Sequence, residues 1–192
     1  MKTKFSSPAK AIISLSVLII FCLTLIGCQG MKVPLRSYHP VFTGDYDLYK
    51  GKRIYLMNFN NHARDTGIKE YYSPDMKFRY SSEDLVSNYF WYSFQDAFKK
   101  LGMIVSDEDR PDYTATGLWA TLLSISDVKY HVLLTVEENK KIALKKEYSI
   151  QEPLLAEKDR NPAALEQRAY RMTNRLIAII LEDSDFRKFF AK

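Results

Sequence analysis

Three apolar runs, at residues 113–125, 130–137 and 142–150, are separated by only two short polar breaks, and this spacing decides most of what the chain can fold into. In the middle run Tyr130, Val132, Leu134 and Val136 alternate with His131, Leu133, Thr135 and Glu137, the period of a strand with one buried face. Ser126-Asp127 and Glu138-Asn139-Lys140-Lys141 are turn-forming breaks. Strands joined by turns this tight pair antiparallel, because a parallel return needs a crossover of about a dozen residues or more. Gly117 is a candidate bulge in the first run, and Lys146 interrupts the apolar side of the third.

Upstream, residues 53–59 (Arg-Ile-Tyr-Leu-Met-Asn-Phe) follow Gly51 and spell a buried strand. Residues 60–80 are polar, hold Gly67 and Pro74, and are expected to form a long loop. Ser81 and Asp84 resemble a capping box, opening a helix that runs to Leu101, favours Lys99 and Lys100 at its end and stops at Gly102. On a helical wheel Val86, Phe90, Trp91, Phe94, Ala97, Phe98 and Leu101 share one arc, the expected core face. Residues 104–106 form a short strand and residues 107–111 a charged turn.

After a loop at 151–160, Asn161 caps a second helix with Pro162 in its first turn. Leu165, Ala169, Met172, Leu176, Ile179 and Ile180 are its buried stripe, and Phe186, Phe189 and Phe190 follow its end. The expected architecture is α+β: a mostly antiparallel four- to five-stranded sheet with two amphipathic helices packed on one face.

The chain starts with Lys2, Lys4 and Lys10, an apolar run at 11–26, and Leu25-Ile26-Gly27-Cys28. Positive charge, a short apolar core and a small residue are the parts of an export signal, and the run is too short to span a bilayer comfortably. Leu25-Ile26-Gly27-Cys28 resembles the lipobox of bacterial lipoproteins. The resemblance implies cleavage before Cys28, a diacylglycerol thioether on its sulfur and acylation of its amine. Cys22 lacks a small residue before it and leaves with the signal. Two or more acyl chains, at about 0.8 kcal/mol per buried methylene, hold a protein stably on a membrane surface.

The expected division is a signal at 1–27, the lipidated cysteine and a tether at 28–50, and a folded domain at 51–192. The tether carries Pro34, Pro40, Gly30 and Gly44, yet also Tyr38, Phe42, Tyr46 and Tyr49, so part of it is expected to dock on the domain. Signal removal takes away three of the 28 basic residues and none of the 23 acidic ones. The remainder is close to neutral, which argues against nucleic acid as a partner. No cysteine is left to form a disulfide, so the fold must hold by packing, for which 13 Tyr and 11 Phe supply large buried areas.

No signature of catalysis stands out. There is no Gly-x-Ser-x-Gly elbow and no phosphate-cradling glycine loop. The three histidines, His39, His62 and His131, are scattered, with His62 near Asp65, and Asp107-Glu108-Asp109 lacks the pattern of a calcium loop. The expectation is a non-enzyme with no catalytic residue, no metal and no cofactor beyond the lipid on Cys28.

Two stripes are candidate contact sites. Leu85, Tyr89 and Tyr92 line up opposite the core arc of the first helix. They are either a partner-binding surface or a seat for the tether or the 60–80 loop, since Tyr is favoured at recognition surfaces. Arg168, Arg171 and Arg175 flank the buried stripe of the second helix. They are either a contact for anionic groups such as lipid phosphates or a solvated flank that shields the core.

The pattern of residues 53–59, the long loop, a helix ending Phe98-Lys-Lys-Leu-Gly102, Pro111-Asp112-Tyr113-Thr-Ala-Thr-Gly117, the 130–150 hairpin and a closing helix resembles small Gram-negative outer-membrane lipoproteins. These include the lipopolysaccharide-assembly lipoprotein and the auxiliary lipoproteins of ABC-type lipid transporters. A second resemblance is to lipoproteins that activate cell-wall synthases, from which the long 60–80 loop departs. The first resemblance implies a non-catalytic accessory subunit of an envelope protein complex; the alternatives are a glycolipid or glycan binder and a synthase activator. Gln29 in place of Asp after Cys28 implies the outer membrane, with the domain facing the periplasm.

Overall fold

The computed structural model describes residues 30–36, 38–64, 66–106 and 116–191. Residues 31–192 form one compact unit. The signal, Cys28, the expected turn at 107–111 and the start of the strand expected from 113 lie outside the described residues.

Among the described residues nine strands build two sheets: β1 (Met31–Leu35), β2 (Arg53–Leu56), β3 (Asn60–Asn61), β4 (Glu70–Tyr72), β5 (Phe78–Ser82), β6 (Ile104–Ser106), β7 (Thr116–Ile125), β8 (Lys129–Glu138) and β9 (Lys141–Gln151). The helices are α1 (Val86–Lys100), α2 (Pro162–Glu182) and the short α3 (Ser184–Arg187). The larger sheet has the order β6-β2-β7-β8-β9, with β3 pairing to β7. Its β7-β8-β9 part is the antiparallel meander expected from sequence. Asn139 and Lys140 both take positive φ at the second turn, the backbone of a two-residue hairpin loop.

The α+β architecture is as expected, and the structure changes four details. First, β2 runs parallel to both neighbours, β6 and β7, so the sheet is mixed; α1 supplies the crossover from β2 to β6. Second, the 60–80 segment is no loop. It holds β3, β4 and most of β5, and β4 and β5 join β1 in a separate three-stranded sheet. Its short, polar strands carry little periodic signal; they are fixed by pairing and by Tyr71 stacked on Tyr80 at 4.6 Å. Third, the domain starts at Met31, not at 51. β1 pairs parallel with β5, and Tyr38 and Tyr49 are buried. Tyr49 donates to the Leu181 carbonyl, and the Asn174 side chain bonds Val41 through both N–H (2.9 Å) and C=O (2.7 Å), so the expected tether is strapped along α2. Fourth, the register irregularity in β7 falls between Leu122 and Ser124, while Gly117 stays in register opposite Glu137.

α1 begins later than expected. Ser81 belongs to β5, and Leu85 at the cap position supplies no side-chain bond. The Val86 N–H instead finds the Ile68 carbonyl at 3.0 Å, and Asp84 accepts from Leu85 N–H and Asn88 Nδ2. At the other end Gly102 takes φ +78 and closes the helix, where a side chain would be strained. In α2 the cap is as expected: Asn161 Oδ1 accepts from Ala164 N–H at 3.0 Å.

One face of the larger sheet is the core. Ile54, Leu56, Leu118, Leu122, Tyr130, Val132, Leu134 and Val136 are buried under the helices. Phe90 packs edge-on to Tyr130 at 5.2 Å and Phe94 to Phe59 at 5.1 Å. Tyr71 reaches across from the smaller sheet, its hydroxyl 2.8 Å from that of Tyr130. Lys146, the apparent interruption of β9, pairs with Asp183 (2.6 Å) and Asp185 (3.0 Å) at the start of α3.

Candidate contact surfaces

α1 has three environments around its circumference. The arc Val86, Phe90, Phe94, Ala97 and Phe98 is buried as expected, with Leu101 half-buried at its end. Tyr89 was expected outside and lies inside, 6 % exposed. Its hydroxyl sits 3.2 Å from Thr173 Oγ1 of α2, and burial raises its pKa well above that of a free tyrosine. The wheel placed Tyr89 relative to the sheet only, and α2 covers the flank that the sheet does not. The Leu85-Tyr89-Tyr92 stripe is therefore split.

Leu85 and Tyr92 do remain at the surface, with Tyr92 52 % exposed. They line a concavity of about 480 Å³ with Asn58, Phe59, Ser87, Asn88 and Trp91. A neighbouring one of about 370 Å³ shares Asn58 and Trp91 and adds Tyr55, Met57 and Trp119. Ile68, whose carbonyl caps α1, is 74 % exposed at the same helix end. Trp91, assigned by its wheel position to the core arc, is half-buried between the two concavities. Its shielded indole N–H has no acceptor among the described residues. The sequence signal for this surface was a tryptophan at the margin of the core arc; Ile68 and Trp119 carried none, because their elements come together only in the fold.

The three arginines also separate. Arg168 is 2 % exposed. Its Nε donates to the Asp127 carbonyl at 2.8 Å, its Nη2 to the Pro153 carbonyl at 2.7 Å, and its Nη1 lies 3.4 Å from Glu152. This expected anion contact is structural: it ties the β7–β8 turn and the segment after β9 to α2. Arg175 pairs with the same Glu152 at 2.6 Å. Arg171 is exposed, and it and Arg175 line a groove of about 520 Å³ with Tyr38, His39, Val41 and Tyr170.

Beside Arg168 lies a charge network that runs from the exposed Asp75 to the buried Asp127. Arg160 forks onto Asp75 (2.5 and 3.0 Å), lies 3.8 Å from Asp127 and stacks over the Phe78 ring at 4.7 Å. The guanidinium holds the Asp75 carboxyl well below the usual carboxylate range. Burial pushes Asp127 the other way, upward, against the pull of Arg160 and Arg168. Among the described residues no group of three or more His, Cys, Asp or Glu is placed to hold a metal ion. His62 is in the segment after β3, and His131 pairs with Glu147 at 2.9 Å on the sheet. No described helix is long and apolar enough to cross a membrane.

No family model matches this sequence, and no curated protein matches it. Among solved structures, the fold is similar to the crystal structure of protein XCC0632 from Xanthomonas campestris, of the DUF330 family model. The superposition has a TM-score of 0.56 at 8 % identity and covers 79 % of this chain and 93 % of that one. At that identity the likeness is one of fold, and the two proteins share this α+β architecture.

Proposed function

We propose that this chain is a lipid-anchored, non-catalytic accessory lipoprotein of the Gram-negative outer membrane, facing the periplasm and assisting an envelope transport or assembly complex through protein contacts. The anchor is Cys28, by the lipobox resemblance of residues 25–28. The observation that carries the protein-contact reading is the exposed apolar flank of α1: Ile68 and Tyr92 exposed, Leu85 half-buried beside them, and Trp91 between two concavities. Aromatic residues around a concave surface are the composition of interface centres. A surface anchor confines such a domain to a thin layer and raises its effective concentration for membrane partners.

The test is capture of the lipidated protein's partners from envelopes, comparing wild type with Ile68→Ala/Tyr92→Ala. The double variant keeps its melting temperature and loses the captured partner. Undiminished capture removes α1 from the reading. A second reading, a glycolipid-binding lipoprotein, is favoured by one observation: exposed Arg171 and Arg175 rim a groove whose walls include Tyr38, Val41 and Tyr170. It calls for salt-sensitive binding to vesicles carrying anionic lipid that Arg171→Ala abolishes; binding that ignores both salt and the substitution rules it out.

A further inference from the structure

The fold begins three residues after Cys28, and this leaves the anchor almost no tether. From Cys28 to Met31 the chain reaches at most about 11 Å. Met31 is already fixed: its N–H donates to the Lys77 carbonyl at 2.8 Å, and it stands in register with Phe78 of β5. Whatever surrounds Met31 must therefore lie beside the bilayer once Cys28 carries its lipid.

That surroundings is the β4–β5 turn. Met76 sits at its tip with φ +58, 58 % exposed, and Met31 beside it is 57 % exposed. The turn is rigid. Asp75 accepts from Ser73 Oγ at 2.6 Å and from Lys77 N–H at 3.2 Å, and Arg160 clamps it from the 3-10 turn region at 157–159. Lys77 pairs with Glu157 at 2.5 Å. The nearby charges are close to balanced: Lys32, Lys77, Lys158 and Arg160 against Asp75, Glu157 and Asp159. Two exposed methionines on a clamped turn with little net charge suit the interfacial layer of a bilayer irrespective of headgroup sign.

Strand direction then sets orientation. β1 leaves the anchor at Met31 and ends at Leu35, about 13 Å further on. Leu35 and Arg36 line a groove of about 500 Å³ together with Tyr92 and Asp84. The exposed flank of α1 is thus at the far end of the three-stranded sheet. We propose that the Met31–Met76 end seats directly on the lipid surface, with both methionines in the interfacial layer, and that the small sheet points the α1 surface away from the membrane. This rests on the lipid-anchor reading above.

The mature chain has no other cysteine, so Met76→Cys and Tyr92→Cys each accept a single fluorophore on the full lipidated protein in phosphatidylcholine vesicles. Nitroxide lipids should quench the label at 76 at least about threefold more than at 92, an interfacial depth against an aqueous one. Inserting twelve Gly/Ser residues between Gly30 and Met31 should bring that ratio close to one. Equal quenching at 76 and 92 without the insert overturns the seat, as does a ratio that the insert leaves unchanged. The mass of the N-terminal peptide from the same sample separates the two readings: an acylated Cys28 with equal quenching refutes the seat alone, and an unmodified Cys28 refutes the anchor and the seat with it.

Discussion

At the Met31 end of the molecule, charged side chains lie inside: Asp127 and Arg168 are buried and Arg160 is nearly so. At the first turns of α1 the reverse holds, with Ile68 and Tyr92 in solvent and Trp91 half-covered. Both regions break the simple sorting of polar outside and apolar inside, and they break it for different ends. Buried charge is tolerated because opposite charges face each other, although Asp127 Oδ1 and Arg160 Nε find no hydrogen-bond partner among the described residues, and it ties the β4–β5 turn, the β7–β8 turn and α2 together. Exposed aromatic surface has no such internal compensation and gains only when something covers it. One region is therefore expected to respond to substitution through stability, the other through binding.

The largest effect tests the first region. Arg160→Ala takes from the buried Asp127 the stronger of the two cations that act on it, while Asp75 stays in solvent, and should cost up to about 3–5 kcal/mol in urea unfolding because a buried charge is left short of compensation. A loss below about 1 kcal/mol would put the network in the class of surface pairs. Next, Tyr89→Ala and Tyr92→Ala, three residues apart on one helix, should differ sharply. The first empties a core site at about 3–5 kcal/mol. The second should stay within about 0.5 kcal/mol. Equal losses would erase the contrast between the two flanks of α1. Tyr89→Phe, which removes only the hydroxyl facing Thr173, should cost about 1 kcal/mol.

A smaller effect sharpens the comparison through pH. Asp127 is raised in the folded state, so its contribution favours the fold at low pH and is lost as pH rises through its folded pKa. Asp75 is depressed, so its contribution is present above the unfolded value of about 3.9 and is lost as pH falls below it. Stability should therefore climb modestly as pH is lowered through the raised pKa of Asp127 toward about 4, then fall. Asp127→Asn should flatten the climb and leave the fall, as read from chemical unfolding across that range. The smallest effect belongs to Lys146→Met, whose partly exposed pairs with Asp183 and Asp185 should be worth at most about 1 kcal/mol in the same assay.

What the residues alone foretold is local. The alternation in β8, the two turns around it, the Asn161 cap and the Gly102 stop are interactions among neighbours in the chain, and each is present in the fold. The α+β class followed from them. Tyr89 and Arg168 depart from the wheel of their own helix for one reason: a wheel reports one covering surface, whereas each helix meets several. Likewise Glu70–Tyr72 and Phe78–Ser82 have no periodic run long enough to stand out, and they become strands because β1 arrives beside β5.

Periodicity and capping act over a few residues, so the sequence determined α1, α2 and the β7–β9 meander and the main apolar face of each. Long-range pairing brings together groups that chain distance keeps apart. Arg160 with Asp75, Tyr89 with Thr173, and Ile68 with the start of α1 exist only after the chain has closed on itself. Tertiary structure therefore decided which arginine is buried, which tyrosine is exposed, and that part of the supposed tether is a strand of the domain.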